Sequence, residues 1–292
     1  MGLGPFSSRR PVWLFAAGLA AVFMLWVATI ALPLLGGYPS VFDWLRDRSI
    51  THDTTKPPAG YDRTRLYAEL GAQGFALGDA AHLRIYKREK LLELWLKQPG
   101  EPRLPGQQPA GQRSAGQFVL FKSYPICTFS GGLGPKLKEG DHQAPEGFYR
   151  VATRQLNPHS RHHLAFNLGF PNAYDRSLER TGSALMVHGG CSSVGCFAMT
   201  DPQIDEIYAV VEAALKNGQG EVDVAIFPFR LTNEALANEA HSAWLPFWQN
   251  LKQGSDLFEE TGAPPSVAVC NGQYIFGAAA LEPGCTPITG WV

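Results

Sequence analysis

Charge of either sign is scarce and balanced in this sequence. Twenty-five Lys and Arg stand against 26 Asp and Glu, for a formal net charge of −1. That balance excludes a general nucleic-acid binder, which normally carries a basic surplus or stripe. Charged residues make up 17% of the chain, below the roughly 25% of ordinary soluble domains. Cysteine is scarce as well: five in 292 residues, too few for a disulfide scaffold. Paired C-x2-C knuckles are missing, and no internal repeat is visible. The cysteine count is odd, so at least one thiol has no partner within the chain. In an oxidising compartment such a thiol is either intermolecular or reactive.

Apolar residues reach 45%, with 31 Gly and 22 Pro. That supports a sizeable core cut by many turns, with short strands rather than a helical bundle. The longest apolar run, Val12 to Leu35, holds no charge and one Thr. A bilayer takes about 20 apolar residues as a helix, whereas the apolar core of a signal peptide is about 7–15. A retained transmembrane anchor is therefore favoured over a cleaved signal. Arg9 and Arg10 precede the run, so residues 1–11 are read as a short cytoplasmic N-terminus with the rest beyond the membrane. Residues 36–60, with GGYPS and TTKPPAG, read as a linker.

Beyond the linker, Asp62–Leu70 suits a short helix ending near Gly71. Leu83 and Ile85 alternate with Arg84 and Tyr86, and Leu92, Leu94 and Leu96 with Glu93, Trp95 and Lys97. Such alternation predicts half-buried strands with a turn near Arg88-Glu89. Residues 98–117, rich in Pro, Gly and Gln, read as a flexible insertion between two strands. Further alternating runs sit at 164–168 and 222–226, and Val267–Phe276 reads as a hairpin turning at Asn271-Gly272. Ile204, Ile207, Tyr208, Val211 and Leu215 share a helical face, opened by a Thr200–Gln203 capping box with Pro202 and ended by Gly218. A second helix spans about 243–260. The expectation is a mainly β, mostly antiparallel domain over 61–280 with appended helices, and a C-terminal tail over 281–292.

Chemistry concentrates in Ser183–Met199, SALMVHGGCSSVGCFAM. An apolar run ends at His188, and a glycine-rich loop with two thiols and two hydroxyls follows. One reading is a cysteine nucleophile with His188 as its base and loop N–H groups to hold an oxyanion. A second is a metal site, since His188, Cys191 and Cys196 are three soft ligands within nine residues, with no fourth in sight. A third is a buried glycine turn with structural cysteines, and a redox dithiol is a fourth. Spacing alone leaves all four open.

At these residues the sequence resembles the L,D-transpeptidase (YkuD-type) catalytic domain, whose motif runs His-Gly, a variable loop, then Ser-x-Gly-Cys. Here the pieces are His188-Gly189 and Ser193-Val194-Gly195-Cys196. The string HGGCSSVGCFAMTD is similar to the YafK-like murein branch of that family. Tyr124–Thr128, Ser130–Lys136, Glu139–Asp141, Pro145–Tyr149, Leu156–Pro158 and Phe170–Asp175 extend the resemblance, which covers roughly 62–276 apart from the insertion.

The resemblance implies a YkuD-type, sandwich- or barrel-like β domain with Cys196 as nucleophile and His188 as general base. It places the backbone of Val194, Gly195 and Cys196 at the oxyanion hole. Ser193, which matches the Ser/Thr of the motif, and Gly189 become candidate substrate contacts. Tyr174 and Asn172 lie in a loop that could wall the cleft, as substrate contacts or as loop-shaping residues, and His142 sits in a turn near it as a further candidate contact. No metal and no cofactor are implied. The implied partners are peptidoglycan stem peptides and a peptidoglycan-linked outer-membrane lipoprotein, and the implied place is the periplasmic side of the inner membrane. Attack falls on the L-centre carbonyl of meso-diaminopimelate, and carbapenems acylate the same cysteine. Hydrolysis is slightly favoured over transfer, and an inactive peptidoglycan-binding module is the non-enzyme alternative. Two positions depart from the family: Val194 stands where many members have His, and Ala198 where many have Arg. With Cys196 kept free, the other four cysteines could form two disulfides in three connectivities. His159, His162 and His163 read as surface or hydrogen-bonding residues, and Trp244, Phe247 and Trp248 as core.

Overall fold

Residues 63–99 and 116–291 are described by the computed structural model. The sequence-read N-terminus 1–11, anchor 12–35 and linker 36–60 lie outside the described residues, as does most of the 98–117 insertion. Among the described residues no helix is long and apolar enough to cross a membrane.

First come α1 (Thr64–Ala72), β1 (Ala81–Tyr86), β2 (Leu91–Lys97) and β3 (Phe118–Pro125), then the short β4 (Thr128–Phe129). After a long loop follow β5 (Gly147–Val151), β6 (Leu156–Ser160), β7 (His163–Asn167) and α2 (Ala173–Ser177). Strands β8 (Met186–His188) and β9 (Phe197–Ala198) flank the glycine loop. Next are α3 (Asp201–Lys216), β10 (Val222–Phe227), α4 (Asn233–Asn238) and α5 (Leu245–Thr261), then β11 (Val267–Cys270), β12 (Gln273–Phe276) and β13 (Thr286–Pro287).

These strands form sheets of order β3-β2-β1-β10-β5, β4-β9-β8-β7-β6 and β12-β11-β13. Pairing is antiparallel except for β1 with β10 and β8 with β9. Helix α3 leaves β9 of the second sheet and returns the chain to β10 of the first. Its start follows the sequence: the Gln203 N–H donates to Thr200 Oγ1 and the Thr200 N–H to Gln203 Oε1. Ile204, Ile207, Val211 and Leu215 are buried in one cluster with Leu83 and Ile85 of β1 and Phe166 and Val187 of the second sheet. Each such side chain contributes about 1.5–3 kcal/mol on burial. The helix is thus a central element, not an appended one, and the fold is a mixed, sheet-rich one with a few helices.

The first sheet corrects the half-buried expectation. All six residues of β1 are buried, because α5 covers the face that α3 does not. Arg84 sends one guanidinium nitrogen to Glu259 and another to Ser255 Oγ at 2.9 Å, both on α5. Charged residues in an alternating strand thus mark a paired buried face here, not a solvated one. The Asn271-Gly272 turn stands as read, with φ of 51° and 71° joining β11 to β12. One of the three connectivities is present: Cys127 bonds Cys191, Cys270 bonds Cys285, and Cys196 is free.

Candidate active site

The parallel pair β8–β9 sets the site. Its register places Val187 opposite Phe197 and His188 opposite Ala198. Side chains alternate along a strand, so Val187 and Phe197, both fully buried, take the core face, leaving His188 on the other. Carried back one residue, the register sets Cys196 opposite Met186, whose N–H donates to Cys196 Sγ at 3.4 Å. His188 and Cys196 therefore share one face on neighbouring strands, with the glycine loop between them.

That loop is held by its backbone. The Gly189 N–H donates to the Leu164 carbonyl at 3.1 Å, the Cys191 N–H to Met199 at 3.1 Å and the Met199 N–H to His188 at 2.7 Å. Gly190 N–H donates to Asp201 at 2.8 Å. Position 189 must be glycine, since a Cβ there would stand 2.7 Å from Asp201 Oδ1 and 2.9 Å from the His162 carbonyl oxygen. Ser193 Oγ donates to the Cys196 carbonyl at 2.6 Å, and its own carbonyl accepts from Ser130 Oγ at 3.0 Å. Gly195 takes a φ of +110°, a conformation that suits glycine. The N–H groups of Val194, Gly195 and Cys196 meet no acceptor among the described residues.

His188 is 2% exposed, and its Nδ1–H donates to the Gly189 carbonyl at 2.6 Å. A carbonyl can only accept, so the neutral ring keeps its lone pair on Nε2. That carbonyl is the orienting group, and no side-chain pattern in the sequence could have disclosed it. Burial pushes the imidazole below its ordinary pKa against the Gly189 bond, and His162 pushes it in the same direction. Burial raises the Cys196 thiol, while the Met186 N–H and the Lys136 ammonium pull it back only in part. Thiol and imidazole both rest neutral. The thiol donates to the Ala184 carbonyl at 3.4 Å, so it faces the 178–185 loop.

Lys136, 4% exposed, is a site residue missed in the sequence. Its ammonium bonds the Lys138 carbonyl at 2.9 Å and the Asp141 carboxylate. Asp141 also accepts from the N–H groups of Leu137, Lys138 and Gln143. Beneath this loop the fully buried Lys87 bonds Gly134 O at 2.8 Å, Ala144 O at 3.1 Å and Glu146 at 2.9 Å. Trp248 Nε1–H donates to the second Glu146 oxygen at 2.8 Å.

Asn172 and Tyr174 lie elsewhere than on an open wall. Asn172 caps α2 and donates to the Phe148 carbonyl and the Tyr274 hydroxyl, while Tyr174 stacks between Phe247 and Tyr274. Both side chains are occupied with core packing. His142 sits in a left-handed turn (φ 52°) one residue past Asp141. His163 Nε2 bonds Asp205 at 2.8 Å, whereas His162 lies over His188 with ring centroids 4.5 Å apart. Cys191 is bonded to Cys127, so neither a metal set nor a redox pair with Cys196 includes it.

A free thiol and a carbonyl-held imidazole on one face of a sheet-rich domain define a cysteine–histidine site. The profile of the L,D-transpeptidase catalytic domain (YkuD) matches residues 114–225. "Putative L,D-transpeptidase YafK" of Escherichia coli (strain K12) is 45% identical over 199 residues, 68% of this chain and 74% of that protein. The chain belongs to the YkuD L,D-transpeptidase family. Among solved structures, the helical cell shape determining protein Pgp2 from Campylobacter jejuni is 19% identical with a TM-score of 0.37, covering 56% of this chain and 55% of that one. Bdellovibrio bacteriovorus Bd1075 is 17% identical with a TM-score of 0.34, over 63% of this chain and 56% of its own. Both likenesses are loose.

Proposed function

We propose that this chain is a cysteine-dependent peptidoglycan-modifying enzyme that forms a thioester on Cys196. One observation carries the reading: the free thiol shares a sheet face with an imidazole whose Nε2 lone pair is left available by the Gly189 bond. With both groups neutral at rest, His188 takes the thiol proton as Cys196 attacks the L-centre carbonyl of meso-diaminopimelate. The oxyanion forms beside the open N–H groups of Val194, Gly195 and Cys196. The tetrahedral adduct collapses, the leaving amine takes the proton from His188, and an acyl-thioester remains. A second nucleophile then gives its proton to His188 and displaces the thiol.

Water as that nucleophile makes the enzyme a hydrolase that trims stems or releases an attached lipoprotein; an amine makes it a transferase forming 3–3 cross-links or attaching one. Hydrolysis is slightly favoured over transfer, as the resemblance to the YafK-like murein branch implies. The family's frequent Arg after the cysteine is Ala198 here, so no arginine at that position anchors a carboxylate. Two disulfides suit a periplasmic placement, and the 12–35 run suits attachment to the inner membrane.

Mass spectrometry of muropeptides after incubation with the purified full-length chain tests the reading. Shortened stems or freed lipoprotein are expected. New dimers or exchanged D-amino acids would replace the hydrolase with the transferase. No turnover and no carbapenem adduct would leave the inactive binding module.

A further inference from the structure

His162 comes from the turn between β6 and β7, far in sequence from the glycine loop, yet its ring lies over His188 at 4.5 Å and 34° between planes. The side chain is itself exposed, whereas His188 beneath it is buried. The turn is fixed from both ends. His162 N–H donates to Ser160 Oγ at 3.1 Å, and His163 bonds Asp205 on α3 at 2.8 Å. The packing of Gly189 against the His162 carbonyl locks turn to loop.

One hydrogen bond through Nδ1 fixes a single edge of the imidazole and leaves the ring free to tilt about its Cα–Cβ bond, which carries Nε2 sideways. A second ring against its face blocks that swing, since rotation would drive the two rings together. The same ring keeps water from the imidazole face. We propose that His162 is a positioning residue for the general base: it clamps His188 in the plane set by the Gly189 carbonyl and shields it from solvent. This rests on the reading of Cys196 and His188 as nucleophile and base.

A charge on His162 also opposes protonation of His188. Of the elements packed against the base, the His162 turn also carries Arg161 and His163, α3 carries Asp201, which accepts from the Gly190 N–H, and Asp205, which bonds His163, and the loop carries Cys196.

The test uses the full-length chain and two variants. His162→Phe keeps a ring over His188 without its charge, and His162→Ala removes the cover. Two readouts run across pH: carbapenem acylation of Cys196, and its alkylation by iodoacetamide, which needs no substrate recognition. Alkylation is clean because Cys196 is the free thiol among the described cysteines.

His162→Ala is expected to lower the acylation plateau about tenfold, part of what an oriented proton acceptor supplies. His162→Phe should keep the plateau within about twofold, with the acid limb moved to higher pH because the opposing charge is gone. Rescue by phenylalanine separates a clamp from general loss of fold. Equal plateaus and unchanged limbs in both variants would overturn the proposal, as would equal plateau losses in both. If the wild type takes no carbapenem, the Cys196 reading fails by itself, and the alkylation limbs still judge whether His162 acts on His188.

Discussion

At the scale of single residues, the roles of Cys196 and Cys191 separate sharply. Cys196→Ala should lower carbapenem acylation by at least about 10³-fold, read as loss of the adduct by intact-mass spectrometry. Cys191→Ala should still form an adduct, because that sulfur is committed to Cys127. His188→Ala should cost about 10²–10⁴-fold in acylation. The pH profile has a sign. His188 acts as base only when neutral, and burial holds its pKa below the ordinary imidazole value. Activity should therefore persist into mildly acidic solution and fall only below the usual histidine midpoint. A stopped-flow acylation profile with its acid limb at or above that midpoint would refute the neutral resting pair.

At the scale of elements, the legible parts were those with local rules. Thr200 and Gln203 cap α3, Asn271-Gly272 turns the last hairpin, and His188-Gly189 with Ser193–Cys196 carries the family resemblance that spacing alone left open. What stayed hidden depends on distant partners. Arg84 and Glu93 look solvated in an alternating pattern, yet Arg84 is buried by α5 and Glu93 accepts from Trp95 and Arg230. Lys136 and His162 reach the site from loops whose composition carries no catalytic signature. The Gly189 carbonyl has no side-chain signature at all. The loop that presents Lys136 rests on the Lys87–Glu146–Trp248 cluster. Breaking a buried pair from one side strands the other charge, which costs about 3–5 kcal/mol. Glu146→Ala should therefore lower the thermal midpoint markedly and also slow acylation. A variant with full stability would show that water replaces the lost carboxylate.

At the scale of the whole molecule, acid stability is set in part by a group remote from the site. His82 lies inside the α5-covered face of β1 and donates Nδ1–H to the Asp223 carbonyl at 2.9 Å. Burial, with the Arg84 charge adding to it, pushes its pKa down to about 3. Its folded value is depressed, so the stabilisation is complete above the ordinary histidine value and is lost as pH falls from there towards 3. Full protonation corresponds to about 4–5 kcal/mol. Denaturant midpoints should drop across that window, and His82→Leu should flatten the drop. An equally steep drop in His82→Leu would move the acid sensitivity to other groups.

The Cys127–Cys191 bridge spans 64 residues and joins the segment leading into β4 to the loop that carries the nucleophile. Closing a ring of that size removes about 4 kcal/mol of unfolded-chain entropy. Competence then becomes a matter of maturation as well as of folding. A chain made where thiols stay reduced would present its nucleophile on an untethered loop, and so react more slowly until oxidation completes it. Full-length protein purified from a reducing and from an oxidising compartment should differ in acylation rate, the former slower and recovering after mild oxidation. Equal rates would make the bridge a strut and nothing more.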